Sequence, residues 1–306
     1  GSNNVSSTLS SGDSLVVTGP RNDLILDMLW LQGLHGTSLR LESLEEMNER
    51  GGGKRKNGRI RQLIFPQSTK TIWIDVGVNK QSDFLPKLDE QPDLFLLGFE
   101  PSNIYQPCPH KRCVVWRAAC TPAYDIVNIN VQGFGGDLCN SILKPNAATS
   151  SKVGRGCVTQ RTDPESGKPE QVQVPGIPLH SLVDRIPTHL SVEYIKIDAQ
   201  GYDLEVMRGA LPATERIEVI SLEVMDIGND RTKLLYQGQP TLEEVRMVIE
   251  GGGWIYAKSL GNHGVEGELN AFFVSNIKYL PKVDAIAKFH MLSTEVARQI
   301  RRGKKD

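Results

Sequence analysis

The chain has no long apolar run. Stretches such as Leu94–Leu97 and Val219–Leu222 have strand length, far short of the roughly 18 apolar residues of a membrane span. It also lacks an excess of either charge. Lys and Arg total 35 against 36 for Asp and Glu, which leaves no strong field to draw in nucleic acid or an anionic membrane. Cysteine is scarce, with five in 306 residues, too few for a disulfide scaffold of this size. The spacings of Cys108, Cys113, Cys120, Cys139 and Cys157 match no common zinc pattern, so no metal site is expected. Two readings of these cysteines stand. One is a Cys108–Cys113 disulfide in an oxidising compartment; the other is reduced, partly buried thiols.

A hydrophobic fraction of 39% supplies a substantial core, and the length fits one large domain with decorations or two modest ones. The opening Gly1-Ser2 reads as an expression scar, so the start of the chain says nothing about an upstream signal or anchor. Residues 1–20 read as a flexible lead-in rich in Ser and Asn near its start, with the sequon Asn4-Val5-Ser6. Residues 21–70 read as an N-terminal helical extension, with amphipathic spacing over Asn22–Leu34, a second helical stretch at Leu39–Glu49, and a basic loop around Lys54-Arg55-Lys56.

From Thr71 the pattern becomes strands alternating with helices. Strands are expected at Thr71–Asp75, Leu94–Phe99, Cys113–Ala119, Ser191–Asp198, Arg216–Met225, Trp254–Ser259 and Ala271–Ser275. Helices are expected at Asp203–Leu211 and Thr241–Glu250. This order predicts a mostly parallel α/β sheet with helices on both faces. The short, glycine-containing link between the last two strands predicts that they pair antiparallel. Residues 146–173 are polar, without periodicity, and read as an inserted loop in a domain spanning 71–280. Residues 281–306 read as a C-terminal helix and a basic tail.

Chemistry-bearing residues fall at the predicted strand ends. Asp75-Val76-Gly77-Val78-Asn79 leaves the first strand, and glycine there allows a ligand to approach the carboxyl edge of the sheet, where open α/β sheets bind ligands. An acid at that strand end suits the ammonium or ribose of an adenosyl cofactor. Glu100 ends the next strand in Phe99-Glu100-Pro101-Ser102, where an acid accepts hydrogen bonds from ribose hydroxyls. Neither a Gly-x-Gly-x-x-Gly fingerprint nor a Gly-Lys-Ser/Thr phosphate loop accompanies Gly77. In Lys196-Ile197-Asp198-Ala199-Gln200-Gly201, the period of two puts Lys196 and Asp198 on one side of the strand.

Taken together, these pieces resemble the FkbM-type methyltransferases, whose pattern is roughly Asp-Val-Gly-Ala-Asn-x-Gly, Phe-Glu-Pro, then Lys-Ile-Asp-x-Glu/Gln-Gly. Ser221-Leu222-Glu223-Val224, Tyr236-Gln237-Gly238-Gln239 and Leu269–Val274 are similar to the family's later strands and loops. The resemblance runs from about Thr71 to Asn276. It implies a Rossmann-like methyltransferase sheet, S-adenosylmethionine as cofactor, and methyl transfer to a hydroxyl, typically of a sugar or polyketide. The cofactor residues it implies are Asp75, Gly77, Asn79, Glu100, Pro101, Ser102 and Ala119. Departures are Gln81 at the last glycine of the first motif, Pro86 inside the helix expected next, and His180 where the family shows an acid.

Such a transfer benefits from a group that takes the hydroxyl proton. Asp198, oriented by Lys196, is the first candidate and Glu223 the second, with His180 and His110 as outsiders. The expected partner is a sugar or glycan hydroxyl. Two other classes remain: a catalytically weakened methyltransferase fold that only binds, motivated by Gln81, and an NAD-type oxidoreductase, disfavoured by the missing glycine fingerprint. The lead-in, the sequon and the clustered cysteines point to the Golgi lumen or secretory pathway, with the cytoplasm as the alternative.

Overall fold

A computed structural model describes Leu34 and residues 37–42, 61–80, 82–102, 104–132, 139–146, 149, 160–228, 230–261 and 267–289. Twelve strands are described, β1 (Arg40–Leu41), β2 (Leu63–Ile64), β3 (Thr71–Val76), β4 (Leu94–Phe99), β5 (Cys113–Trp116), β6 (Ala119–Cys120), β7 (Asp125–Asn130), β8 (Gln171–Ile177), β9 (Ser191–Ile197), β10 (Ile217–Met225), β11 (Ile255–Gly261) and β12 (Glu268–Val274). Four α-helices accompany them, α1 (Leu85–Glu90), α2 (Leu179–Val183), α3 (Asp203–Ala210) and α4 (Leu242–Gly251). Residues 280–289 are also helical.

Seven strands form the main sheet in the order β11-β12-β10-β9-β3-β4-β5. The pairs from β10 through β5 are parallel, while β12 runs antiparallel between β10 and β11. The expected Rossmann-like sheet, mostly parallel with an antiparallel end, is the fold. Its faces follow from side-chain alternation. One face carries Ile72, Ile74, Ile195, Ile197, Ile220, Leu222 and Phe273, and meets Leu204 and Met207 of α3 and Val245 and Ile249 of α4. The other face carries Trp73, Tyr194, Val219 and Phe272, and meets Leu88 of α1 with Val283, Ile286 and Ala287 of the 280–289 helix. Helices therefore cover both faces, which is why the central strands read as apolar runs.

Local sequence sets the helix starts. Thr241 and Glu244 form a reciprocal capping box at the head of α4, satisfying two N–H groups that the first turn leaves unpaired. Pro86, expected to interrupt a helix, instead lies in the first turn of α1, where its missing N–H costs nothing.

A second sheet, β6-β8-β7, was not foreseen. Asn128 and Asn130 on β7 and Gln171 and Gln173 on β8 pair across it, and their polarity disguises both strands as loop. Thus the end of the expected 146–173 insertion is a strand, and Gln160 and Thr162 also make bridges to Gln132 and Pro169. The helix expected at Leu39–Glu49 is replaced at its start by β1, which pairs with β2. Its remainder, the Asn22–Leu34 helix apart from Leu34, the Lys54-Arg55-Lys56 loop, Gln81 and the basic tail lie outside the described residues. The expected third strand, Cys113–Ala119, divides into β5 and β6, because Ala118 turns back with its N–H on the Trp116 carbonyl at 3.0 Å.

Gly77 has φ +83°, and a Cβ there would sit 1.9 Å from the Asp198 carbonyl oxygen. Gly77→Ala is expected to destabilise the fold by about 2–4 kcal/mol, combining left-handed strain with a backbone clash. Gly228→Ala is the control, with φ +55° and open space around the glycine; it is expected to cost about 1 kcal/mol. Urea midpoints of the two variants check this, and equal losses would exclude the clash.

Candidate active site

Strand register assembles the polar site. Asp75 pairs with Lys196 across β3 and β9, and Lys196 with Ser221 across β9 and β10. Glu223 follows Ser221 by two residues and pairs with Asn270 on β12. These side chains continue, toward the carboxyl ends of the parallel strands, the face whose lower part is Trp73, Tyr194, Val219 and Phe272. The face changes from aromatic to charged within one sheet, and Tyr194 marks the boundary with its hydroxyl 2.6 Å from Ser221 Oγ.

Lys196 is the described cation at the centre of this row, 3.1 Å from Asp198 Oδ2 and 3.6 Å from Asp75 Oδ1. Burial alone lowers its affinity for a proton, but Asp198, Asp75, Asp83 and Glu223 outweigh that and hold it well above the usual lysine range. Burial pushes the Asp198 carboxyl up; Lys196 and hydrogen bonds from Glu223, Gln200 and Lys196 reverse this and leave it below its ordinary value. Glu223 is driven well above the carboxylate range by burial and by the charges of Asp198, Glu268 and Asp203. Glu223 is thus pushed toward its protonated form and Asp198 toward its ionised form, with a hydrogen bond between the two carboxyl groups. Burial and Asp198 raise Glu268 to about 7. Burial and Asp198 raise Asp203 to about 8, where its oxygens accept the N–H groups of Ala199 and Gly201 at 3.1 and 3.0 Å.

Two tight turns meet at Glu100. Its Oε2 accepts the Asn79 N–H at 2.7 Å and its Oε1 the Ser102 N–H at 2.8 Å. Each oxygen keeps one lone pair, so the carboxylate retains the capacity to accept two hydroxyl groups. Asn79 itself has φ +62°. These are donors and acceptors that fit a ribose, and they sit at the carboxyl edge of the sheet. Asp75 lies deeper, 1% exposed, with Ser82 Oγ donating to its Oδ2 at 2.5 Å. Among the described residues its Oδ1 has no hydrogen-bond partner, and the Lys196 ammonium lies 3.6 Å from it.

The structure thus brings together Asp75, Lys196, Asp198 and Glu223, and separately Gly77, Asn79, Glu100 and Ser102, with Pro101 in the second turn. Gly77 is required by the Asp198 backbone that packs on it, a constraint beyond the ligand approach inferred from sequence. Ala119 packs in the small sheet with Ile129 and Val174. The two outsider histidines are engaged elsewhere: His180 Nδ1 meets the Gly209 carbonyl at 3.0 Å, and His110 Nδ1 accepts the Arg112 N–H. Sequence reasoning missed Gln200, Tyr236 and Glu268 as site residues. Gln200 and Tyr236 lie inside motifs already singled out, but their contacts join segments far apart in the chain. Of the cysteines, Cys108 and Cys113 form a disulfide, Cys139 is also disulfide-bonded, and Cys120 is free and buried.

Residues 75–256 match the family described as the methyltransferase FkbM domain. The chain belongs to this family, and S-adenosylmethionine is the cofactor that membership brings. No curated protein matches the chain. Similar solved structures include CalO1, a methyltransferase in calicheamicin biosynthesis in its SAH-bound form, at 14% identity and a TM-score of 0.32, over 69% of this chain and 50% of that one. The mitomycin 7-O-methyltransferase MmcR follows at 12% identity and a TM-score of 0.33, again over 69% and 50%. An O-methyltransferase family 2 protein from Planctomyces limnophilus, in complex with apigenin, is 10% identical with a TM-score of 0.31, over 83% and 61%. The chain spans about half the length of the first two.

Asp75 supplies a test of the electrostatics. Burial raises its pKa to about 6 against the pull of Lys196 and Ser82, so the folded protein holds a proton that the unfolded chain has already released. That contribution is complete below about pH 4 and is lost as pH rises through about 6. Relative to Asp75→Asn, the wild type is expected to lose stability between those values. Urea unfolding of both proteins at pH 4, 5, 6 and 7 measures the difference. A wild type that gained stability relative to Asp75→Asn as pH rose would contradict the burial.

Proposed function

We propose that this FkbM-family chain is an S-adenosylmethionine-dependent O-methyltransferase acting on a hydroxyl of a sugar or glycan, with Asp198 receiving the hydroxyl proton. The observation that carries this reading is the Asp198 carboxylate at the end of β9. Its side chain is 24% exposed, and it is favoured in its ionised form by Lys196 and by hydrogen bonds from Gln200 and Glu223. When bound, the cofactor supplies a methyl group already activated on a sulfonium. The remaining tasks fall to the chain, namely to hold the acceptor in line and to take its proton. The turns at Asn79 and Ser102, organised by Glu100, would hold the ribose. Asp198 would accept the proton from the acceptor oxygen as that oxygen forms its bond to carbon. Glu223 and Asn270 pair across β10 and β12 on the same face and offer hydrogen bonds to neighbouring hydroxyls, which favours a hydroxyl-rich acceptor over an apolar one.

The Cys108–Cys113 disulfide supports a further part of this proposal, that the protein works in an oxidising compartment such as the Golgi lumen. Mass spectrometry after alkylation without reductant tests it. Protein from its native cells is expected to alkylate at Cys120 only after unfolding and at Cys108 and Cys113 only after reduction. Free alkylation of all three in folded protein would remove the support.

Two substitutions separate cofactor from chemistry. Glu100→Ala is expected to weaken S-adenosylhomocysteine binding by about 1–3 kcal/mol, the scale for hydrogen bonds to a charged group. Asp198→Asn is expected to bind it normally and to lose about 10²–10⁴ in turnover with a glycan acceptor. Calorimetry and methyl-transfer assays read the two effects. Near-normal turnover of Asp198→Asn would transfer the role to Glu223, and lost cofactor affinity would place Asp198 in the cofactor shell.

A further inference from the structure

Gln200 has φ +51°, a left-handed conformation that strains most side chains. A turn needing only that shape is met by glycine or asparagine, so the glutamine side chain calls for its own explanation. Its Nε2 donates to Asp198 Oδ1 at 2.7 Å and to Glu223 Oε2 at 3.2 Å. Its Oε1 accepts from the Tyr236 hydroxyl at 2.9 Å. Turned over, the amide would set its carbonyl oxygen against the Asp198 carboxylate, so the carboxylate selects this orientation and the phenol holds it by its hydrogen bond to Oε1.

The phenol is itself fixed. Tyr236 is 1% exposed, and its hydroxyl also lies 3.1 Å from the Cys139 carbonyl. The Gln200 carbonyl accepts from Ser141 Oγ at 2.7 Å. A Cβ on the adjacent Gly201 would come within 2.8 Å of the Tyr236 ring, so loop and ring are closely packed. Segments 139–141 and 236 thus converge on the loop that carries Gln200.

We propose that Gln200 is a positioning residue whose amide, fixed by Tyr236, holds Asp198 and Glu223 as one two-carboxyl unit. This rests on the reading of Asp198 as the group that receives the acceptor's proton. The unit ties the carboxylate that meets the acceptor to a second carboxyl on β10, so that charge arriving on one is shared with the other. The other groups facing it are Lys196 on β9, Asp75 on β3, Asp203 on α3, Glu268 on β12 and the Tyr236 phenol. All but the phenol are unchanged in every variant below.

The test reads the carboxyl groups directly, by infrared titration of the full chain without cofactor or acceptor. Glu223→Gln assigns the bands of the Glu223 carboxyl. Gln200→Leu removes the hydrogen bonds, and Gln200→Asn keeps an amide and tolerates the backbone but is one methylene too short to bridge both carboxyls. Tyr236→Phe removes the hydrogen bond that holds the amide at Oε1. The Asp198 midpoint is expected to rise by about one pH unit in both Gln200 variants, and to rise less in Tyr236→Phe. Midpoints that superimpose on the wild type in folded Gln200→Asn and Tyr236→Phe overturn the proposal, even where Gln200→Leu fails to fold. Calorimetry with S-adenosylhomocysteine on the same proteins keeps the two ideas apart. Affinity within about twofold of wild type together with a displaced midpoint is the expected result. A wild type that does not bind it would overturn the proposed reaction, while the infrared result would still decide the role of Gln200.

Discussion

Lys196 stands between two carboxylates, and the rest of the site depends on that placement. A buried ammonium is tolerated only when paired, because removing it from water costs several kcal/mol. Here the partners arrive from two strands, Asp75 on β3 and Asp198 just past β9. Because parallel pairing sets Asp75 beside Lys196, a slip of one residue would turn the whole row into the apolar face. Sheet register and ion pairing therefore reinforce one another.

The same cation sorts the surrounding acids into roles. Asp198, nearest to it, stays ionised, while Glu223 and Asp203, buried beside Asp198 without comparable compensation, are pushed toward the protonated state. One ion pair thus divides similar carboxyls into one held toward its ionised form, one pushed toward protonation, and a structural ligand for backbone N–H groups. Pairs whose environments drive their pKa values apart are characteristic of sites that move protons. Asp203 shows the structural use of this effect, since its oxygens are spent on the Ala199 and Gly201 amides that shape the loop bearing Gln200.

The small sheet acquires its meaning from this loop. Asn130 at the end of β7 donates to the Ile142 and Leu143 carbonyls at 3.0 and 3.1 Å. This holds the 139–146 segment against residues 234–239, where Asn146 N–H bonds the Leu235 carbonyl and Gln237 N–H the Lys144 carbonyl. The wall of the site beside Gln200 is therefore built by an accessory element, which is also the part of the chain with the least periodic sequence.

What the sequence determined alone is what depends on short separations. Alternation placed Lys196 and Asp198 on one side of a strand, and the apolar runs of β4 and β10 announced strands covered on both faces. The acids of the Asp75 and Glu100 motifs marked strand ends because a two-residue period and a turn residue are local properties. Pro86 was misread because a proline's effect depends on whether it falls in the first turn or the interior, and that is set by where the helix starts. β7 and β8 escaped notice because their polar side chains are satisfied by one another and by distant carbonyls. The functional partners Gln200, Tyr236 and Glu268 belong to tertiary structure for the same reason. Each acquires its role from a hydrogen bond or a field crossing tens of residues of chain, and only the folded sheet sets those distances.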